Sequence, residues 1–349
     1  MDPAALTAAH ETKFAKVCVL LAWDEGAVQR KLVGVWALRT RKLAPFWPAW
    51  LEALPYNYAF LSSPVIDPAF IDDVVPEFFA AIRKNPVLPN VINLQSFNAE
   101  SPDYDAIVKA LAARGGEQLR FCENARPFVT REFGVKRSGS TRKKLRQDWN
   151  RLSGLGAVDI VNDRTPGAVS EAFEAFLALE LDSWKGDRGT ALLCDEKDAA
   201  FVRRLIGSLA EQRNASVALL RIGGRAIAAQ VLMYCGTTAY TWKTAFHADY
   251  AKYSPGALLI DKVTEELFST SGIDAIDSCA AEGSFMAQLW AGRRNMVDFL
   301  IDLGPGKSVG FRIEAMRQVG YRRIRALRDR LRADGWISLP KKVGLASSS

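Results

Sequence analysis

Residues 237–278 constrain the fold of this chain more than any other stretch. They predict an apolar strand over 239–246, a loop ending in Tyr253-Ser254-Pro255-Gly256, a helix over 256–270 and a short strand that ends at Asp277-Ser278. The strand is rich in β-branched and aromatic residues, whereas the apolar residues of the helix recur at helical spacing. A strand–loop–helix–strand order of this kind predicts a mixed sheet with a helix packed across it.

The loop before this helix has the composition of an anion site. Ser254 is a good helix cap, Pro255 suits the first helical position, and Gly256 lets another group approach the backbone closely. The first turn is then expected to present free N–H groups at the positive end of the helix dipole, where a phosphate can bind. The alternative interpretation is an ordinary capped helix, because Ser-Pro is common at helix starts.

The composition limits the classes of protein to which the chain can belong. Its 349 residues, 49% of them hydrophobic and 24% charged, are enough for two globular domains. No apolar run reaches the roughly 18–20 residues that cross a bilayer, so a cytoplasmic location is expected. The five cysteines show no CxxC pairing, which favours reduced thiols. The chain has only two histidines, which argues against a histidine metal site or a Ser-His-Asp triad. No metal is therefore predicted.

Positive charge is concentrated in two blocks. Residues 307–342 hold eleven basic residues against three acidic ones, and residues 136–151 hold seven against one, within a net charge of +7 for the chain. Such blocks attract nucleic acid, anionic lipid or a phosphorylated cofactor. The alternative for each block is a solvated helix face.

The remaining pattern predicts two α/β units. The first contains predicted strands and helices at residues 17–22, 32–39, 76–84, 91–95 and 104–114. Around residues 123–142 the apolar periodicity disappears, which suggests a crossing between domains. The second unit reads as helices at 142–151, 168–184 and 199–212, a strand at 158–161, and a hairpin of 216–222 and 226–234 around Gly223-Gly224. We therefore expect domains at 1–130 and 131–335 and a flexible tail at 336–349.

Several short pieces carry a family likeness. They are Arg142-Lys143-Lys144-Leu145-Arg146, residues 179–186 with Gly189-Thr190, Trp242-Lys243-Thr244-Ala245, Tyr253-Ser254-Pro255-Gly256, Asp277-Ser278-Cys279, and Leu289-Trp290 before Arg293-Arg294. In this order, residues 138–303 resemble the GNAT superfamily of acyl-CoA-dependent N-acyltransferases, and more closely the CelD-type acetyltransferase domains related to Fem-type transferases. The resemblance implies two GNAT-like halves in tandem, each a mixed, mostly antiparallel sheet flanked by helices. It also implies an acyl-CoA co-substrate and an amine acceptor.

The resemblance also suggests where each substrate binds. A pantetheine arm can pair with a sheet edge and a diphosphate can lie at a helix N-terminus, so the donor site is expected at Trp242, Lys243, Thr244, Ser254, Pro255, Gly256 and Ala257. The acceptor site is expected at Trp184, Lys185, Trp290 and Arg142. The tryptophans have the alternative of being core residues, and the lysines that of being solvated.

The attacking amine must lose a proton, and a carboxylate or histidine can take it. The candidate bases are Asp277, Glu180 and His247, with Glu282 as a further carboxylate. Each has a structural alternative. Asp277 can cap a turn with Ser278, Glu180 can pair with Lys185 or Arg142, and His247 can be a plain surface residue.

The acceptor is suggested by residues 317–332, where apolar residues alternate with arginines as in a basic amphipathic helix. Such a helix suits an anionic membrane, so we expect a peripheral enzyme that acylates a lipid amine of the sphingoid, ceramide-forming type, or an envelope precursor. Two alternatives remain open. One is a Fem-type transferase that takes its aminoacyl group from tRNA, and the other is a nucleic-acid-binding protein.

Overall fold

The computed structural model describes residues 3–26, 29–53, 61–136, 138–269, 272–304 and 306–333. The predicted tail at 336–349 lies outside these residues. The elements up to the middle of the chain are α1 (Pro3–Glu11), β1 (Cys18–Asp24), β2 (Lys31–Arg41), β3 (Trp50–Ala53), β4 (Val65–Ile66), α2 (Ile71–Lys84), β5 (Val91–Asn98), α3 (Pro102–Ala113) and β6 (Glu117–Thr130).

The second part of the chain follows the predicted order of elements closely. It contains α4 (Ser140–Ser153), β7 (Val158–Val161), α5 (Pro166–Leu181), α6 (Trp184–Asp187), α7 (Glu196–Glu211), β8 (Ala215–Ile222), β9 (Arg225–Cys235), β10 (Thr238–Phe246), α8 (Pro255–Ser269), β11 (Ala275–Asp277), α9 (Met286–Leu289), β12 (Arg293–Asp302) and α10 (Val309–Ala333). Gly223 and Gly224 both have positive φ values, +55° and +82°, which the tight turn between β8 and β9 requires.

Within the described residues, twelve strands form one continuous mixed sheet. Its order is β1-β2-β3-β5-β12-β6-β11-β10-β9-β8-β7, with β4 also pairing with β2. Neighbouring strands are antiparallel except for two parallel pairs, β3 with β5 and β10 with β11. Each parallel pair is connected through a helix, α2 in the first case and α8 in the second. The same strand–helix–strand unit therefore occurs twice, which confirms the predicted fold class of two mixed, mostly antiparallel halves flanked by helices.

Helices cover both faces of the second half of the sheet. On one face α1, α5 and α7 pack against β8, β9 and β10 around Phe173, Phe176 and Phe201. On the other face α4 and α8 pack around Leu258, Leu259 and Ile276. In the first half α2 and α3 cover one face around Phe79, Phe97 and Ile107, and α10 covers part of the other through Phe311.

Two segments cross the linear division at residue 130. The helix α1 packs against α7, with Ala4, Ala8 and Ala9 buried in the core of the second half. The strand β12 lies between β5 and β6 and contributes Val297, Phe299 and Ile301 to the core of the first half. The exact division into domains 1–130 and 131–335 stays a prediction.

Residues 123–142, where the loss of apolar periodicity suggests a crossing between domains, begin inside a strand that the sequence analysis does not predict. The strand β6 runs through Glu117–Thr130 and pairs with β12 over ten positions, Glu117 to Pro127, and then with β11. Its polar side chains, such as Arg120 and Glu123, are exposed, so the segment lacks the apolar alternation by which a strand is recognised. The strand is formed by its two neighbours rather than by its own composition.

Candidate active site

The strands β10 and β11 pair over only three residues and then separate. Thr238, Ala239 and Tyr240 pair with Ala275, Ile276 and Asp277, and β10 then continues to Phe246 with β9 on its other side. Thr241 marks the branch point, where its hydroxyl donates to the carbonyl oxygens of Asp277 at 3.3 Å and Ser278 at 3.0 Å. No described strand pairs with the far part of β10 on the β11 side, so the only neighbouring strand there is β9 on its other side.

A β-bulge lies just beyond the branch point. Thr241 is opposite Leu232 of β9 and Lys243 is opposite Val231, so Trp242 is the additional residue by which the register shifts. A bulge interrupts the ladder and re-aims side chains, and bulges are frequent beside active sites. Here it brings Trp242 against the α5–α7 core and lets Lys243 point towards α5.

Three predicted site residues meet on the α5 side of the bulge. Glu180 is fully buried at the end of α5, and its Oε1 accepts from Lys185 Nζ at 2.9 Å and Lys243 Nζ at 3.2 Å. Its Oε2 accepts from the backbone N–H of Leu192 at 3.0 Å. Lys185 also donates to the carbonyl oxygen of Thr244 at 3.3 Å. We call Glu180, Lys185 and Lys243 the lysine cluster. Of the two structural partners suggested for Glu180, the structure shows Lys185 and not Arg142.

The lysine cluster shifts the pKa values of Glu180 and Lys243. Burial by itself raises the pKa of Glu180, but Lys243, Lys185 and the Leu192 N–H outweigh it, and the pKa ends below its ordinary value. Burial lowers the pKa of Lys243, and Glu180 offsets only part of that effect. Glu180 is therefore held as a carboxylate with both oxygens engaged. Its predicted role as a base stays a prediction.

Asp277 forms a second buried cluster at the branch point. Its Oδ2 accepts from Arg294 at 2.7 Å, and its Oδ1 accepts from Arg126 at 3.4 Å and from the Cys279 N–H at 2.9 Å. Tyr240, its partner in the strand register, has its pKa raised to about 12 by burial and by the Asp277 charge. Asp277 is thus the predicted base nearest the branch point, although guanidinium and amide donors occupy both of its oxygens. Its catalytic role stays a prediction.

The start of α8 differs from the expected turn of free amides. Ser254 adopts a left-handed conformation with φ of 52°, and its carbonyl accepts from the N–H of Ala257 at 3.0 Å and of Leu258 at 3.1 Å. Pro255 and Gly256 are buried, and a Cβ at Gly256 would lie 3.4 Å from Thr244 Cγ2. The expectation of free N–H groups after Pro255 was therefore wrong for Ala257, because the left-handed Ser254 directs its own carbonyl at the first turn.

A lysine supplies positive charge at this helix start. Lys144 of α4 donates to Ser254 Oγ at 2.8 Å and also bonds to Asp148 of its own helix. Lys144 belongs to the predicted basic block, from which Arg142 was the predicted site residue. Arg142 instead pairs with Asp261 of α8 and lines a groove of about 650 Å³ between α4 and α8, on the opposite face of the sheet from the lysine cluster. The missed signal was the spacing, because Lys144 lies two positions further along the helix than Arg142 and projects in a different direction.

The other predicted residues are dispersed. Trp184 is 55% exposed beside Arg188, whereas Trp290 is 1% exposed within the α4–α8 core. The prediction that Trp290 contacts substrate was wrong for this arrangement, since core side chains enclose it. His247 lies at the far end of β10 and caps the following 3₁₀ turn, Ala248–Tyr253, by accepting from the Asp249 N–H.

Two more of the named residues have surroundings of their own. Glu282 lines a separate cavity of about 240 Å³. Thr244 bonds to Gln230.

Two further observations on the described part of the chain concern membrane-spanning helices and metal sites. None of its helices is both long and apolar enough to span a bilayer. Over the same residues, no group of three histidine, cysteine, aspartate or glutamate side chains is arranged to hold a metal ion.

Comparison with known protein families gives one match. The model of the acetyltransferase (GNAT) domain matches residues 139–285, which include the lysine cluster, the bulge and the start of α8. No curated protein matches the sequence.

Solved structures share the fold of nearly the whole chain. FemX is similar at 12% identity and a TM-score of 0.56, over 86% of this chain and 91% of that one. The C-terminal DUF2156 domain of a putative lysylphosphatidylglycerol synthetase from Agrobacterium fabrum is similar at 15% identity and a TM-score of 0.54, over 87% and 88%. L-PGS from Bacillus licheniformis is similar at 14% identity and a TM-score of 0.51, over 82% and 86%. At these identities the similarity extends to the fold alone.

Proposed function

We propose that the GNAT acetyltransferase domain at residues 139–285 transfers an acyl group from acyl-CoA to an amine where β10 and β11 separate. The observation that carries the proposal is the open edge of β10 beside the bulge at Trp242, between the lysine cluster and the Lys144–Ser254 pair. An extended thioester arm fits such an edge, because it can pair with the backbone as an additional strand does.

The chemistry needs few protein groups. The amine lone pair attacks the thioester carbonyl, the C–N bond forms, the C–S bond breaks, and the thiolate leaves as the amine loses its proton. Negative charge develops on the carbonyl oxygen, and we propose that a backbone N–H of β10 stabilises it by about 3 kcal/mol. Asp277 is the candidate base at the branch point. Glu180 and His247 are the alternatives.

The donor phosphates are assigned to the start of α8. The Lys144 ammonium lies at Ser254 Oγ while it also pairs with Asp148, and the α8 dipole adds its positive end at the same place. The donor site then differs from the predicted one, because a lysine of α4 replaces the amide of Ala257 as the main anion ligand.

The acceptor is proposed to be an amine at a membrane surface, with the protein peripheral at the cytoplasmic face. The outer part of α10 carries Met316, Ile324 and Leu327 on one side, each more than half exposed. Exposed arginines surround this stripe at 323, 325, 328 and 330. An apolar stripe with basic flanks suits an anionic bilayer. A sphingoid base or an envelope precursor is the proposed acceptor, and the lipid named for the A. fabrum protein is consistent with a lipid substrate.

A second candidate function is transfer from aminoacyl-tRNA, as the Fem-type resemblance implies. The fold shared with FemX and the basic helix α4 favour it. Simple nucleic-acid binding accounts less well for the site, since it gives no role to the open edge of β10.

Thermal shift measurements can separate the donors. Coenzyme A, palmitoyl-CoA and aminoacyl-tRNA are each added to the wild type, to Lys144→Met and to the control Lys143→Met, whose exposed side chain is one residue away. We expect palmitoyl-CoA at 100 times its Kd to stabilise the wild type and the control by about 2.7 kcal/mol. Lys144→Met should need at least tenfold more palmitoyl-CoA to reach the same stabilisation. A shift with aminoacyl-tRNA alone would support the second candidate, and no shift with any donor would refute both.

Vesicle sedimentation tests the membrane proposal. We expect the wild type to bind vesicles of phosphatidylglycerol and phosphatidylcholine in low salt, and to bind less in high salt. The double variant Ile324→Glu/Leu327→Glu should bind at least tenfold more weakly, while Val87→Glu, at another exposed apolar residue, should bind like the wild type. Absence of wild-type binding in low salt would refute the proposal.

A further inference from the structure

A groove lies between the strand β1 and the helix α2, at the outer end of the sheet. Among the described strands β1 is the last of the sheet and has β2 as its neighbour. The groove has a volume of about 610 Å³. Its apolar lining belongs to the core of the first half and consists of Leu20, Ala22, Val33, Val74 and Phe78. Apolar grooves with a polar rim are typical of sites at which another element docks.

The rim of this groove is acidic. It is lined by four carboxylates, Asp24, Glu25, Asp73 and Glu77. Two of them have cations nearby, since Glu25 pairs with Arg30 at 3.5 Å and the charge of Asp24 acts on Lys31. Asp73 and Glu77 are exposed, and neither pairs with a cation of the described residues. They lie four positions apart on α2, where like charges repel each other, so a basic partner is favourable there.

The helix α10 has a buried side and an exposed side. Phe311 and Gln318 are 4% and 6% exposed and face the first half. Met316, Ile324 and Leu327 form the apolar stripe on the opposite side, and they are 67%, 70% and 58% exposed. The stripe lies in water unless a membrane or another protein surface covers it.

The stripe and the groove are complementary in charge and in length. Arg323 and Arg330 are exposed next to the stripe, so a docked helix brings guanidinium groups to Asp73 and Glu77 of the rim. Residues 321–333 of α10 extend about 20 Å, and the 14 residues of α2 extend about 21 Å. The 7 residues of β1 extend about 23 Å. The exposed part of α10 therefore fits along the groove.

The helix that enters the groove has to come from another molecule. Within one chain α2 covers the face of the first half around Phe79 and Phe97, whereas α10 packs on the other face through Phe311. We propose that the outer side of α10 docks into the β1–α2 groove of a second copy of this chain. Two such contacts, related by a two-fold axis, close a dimer in which each copy supplies one helix and one groove.

This inference does not rest on the proposed transferase function. The dimer buries the same stripe that is proposed to meet the membrane, so the second copy and the bilayer compete for it. The dimer is thus the form expected away from a membrane.

Analytical ultracentrifugation of the full chain tests the proposal. We expect the wild type to form a dimer at micromolar concentration. Asp73→Lys/Glu77→Lys in the groove and Arg323→Glu/Arg330→Glu in the helix should each raise the dimer Kd roughly tenfold or more, because like charges then face each other. The control Asp105→Lys/Glu171→Lys changes the net charge equally at exposed residues of α3 and α5 and should behave like the wild type.

A mixture of the groove variant and the helix variant provides the sharpest test. In the mixed dimer one contact keeps its original charges and the other has both signs reversed, so the Kd should return to near the wild-type value. A monomeric wild type, an unchanged Kd in the groove variant, or no dimer in the mixture would each overturn the proposal. Melting temperatures confirm that the variants are folded.

The membrane proposal can fail or hold separately. The groove variant keeps its α10 unchanged, so it should sediment with phosphatidylglycerol vesicles at least as strongly as the wild type. Vesicle binding by a wild type that is monomeric in solution would overturn the dimer alone. A dimer that does not bind vesicles in low salt would refute the membrane proposal alone.

Discussion

Substitution of Glu180 by glutamine tests the charge arrangement of the site most directly. The change keeps the shape of a side chain that is 0% exposed but removes its charge. Two ammonium groups, at 2.9 Å and 3.2 Å from the lost charge, would then lie together in a poorly hydrated place. Breaking a buried ion pair by removing one partner costs about 3–5 kcal/mol, and we expect Glu180→Gln to lower the free energy of unfolding by that amount at pH 7.

Guanidinium unfolding followed by tryptophan fluorescence measures this loss. The double variant Glu180→Gln/Lys243→Met serves as the internal control, because removal of one ammonium relieves the repulsion. It should recover about 1–3 kcal/mol relative to Glu180→Gln. If Glu180 acts mainly as a catalytic base, the single variant should instead unfold like the wild type and lose turnover.

The pH dependence of the free energy of unfolding provides a second test with the same substitution. The pKa of Glu180 in the folded protein lies below its ordinary value of 4.5, so its stabilising effect is fully present above that pH. The effect is lost as the pH falls through the lower, folded pKa. The difference in free energy of unfolding between the wild type and Glu180→Gln should therefore become smaller below about pH 4.5. An equal difference in free energy of unfolding at pH 7 and in acid, or no difference at pH 7, would refute the ion-pair argument.

Two further substitutions test the surroundings of the opening. Asp277→Asn leaves Arg126 and Arg294 without their carboxylate and should lower the free energy of unfolding by about 3–5 kcal/mol, whereas Asp274→Asn, 65% exposed, should change it by less than about 0.5. Equal unfolding midpoints for these two variants would contradict the cluster. Gly186→Ala places a Cβ 1.8 Å from the Leu181 carbonyl oxygen, so it should displace α6 with Lys185 and destabilise by about 1–3 kcal/mol. Gly207→Ala, which meets no atom within 4 Å inside α7, should stabilise by about 0.5–1 kcal/mol, and the reverse order in thermal unfolding would count against this reasoning.

Local sequence predicted the elements that their own composition determines. The helix α8 and the strands β8, β9 and β10 were recognised because their apolar residues follow one period and turn residues bound them. The strand β6 was missed because its partners, not its side chains, make it a strand. The placement of α1 against α7 depends on residues about 190 positions apart, such as Ala8 and Phe201, and no local pattern reports such a contact.

The site was predicted in its members but not in its arrangement. Glu180, Lys185 and Lys243 were selected separately, as a base, an acceptor ligand and a donor ligand, and the structure joins them in one cluster. Sequence spacing suggested the contact between Glu180 and Lys185, five residues apart. The contact with Lys243, 63 residues from Glu180, depends on the bulge in β10. Lys144 could not be distinguished from its basic neighbours until the position of Ser254 was known.

The two strand–helix–strand units differ at their branch points. In the first half, β5 continues past its short pairing with β3, and Asn93 marks the branch point. There Asn93 donates to Glu314 of α10, which also accepts from Gln318 and pairs with Arg317. Glu314 and Gln318 are almost fully buried, so side chains of α10 pack at the branch point of the first half. The first half thus holds the N-terminal part of α10, whereas Asp277 at the branch point of the second half binds Arg294 and Arg126 instead.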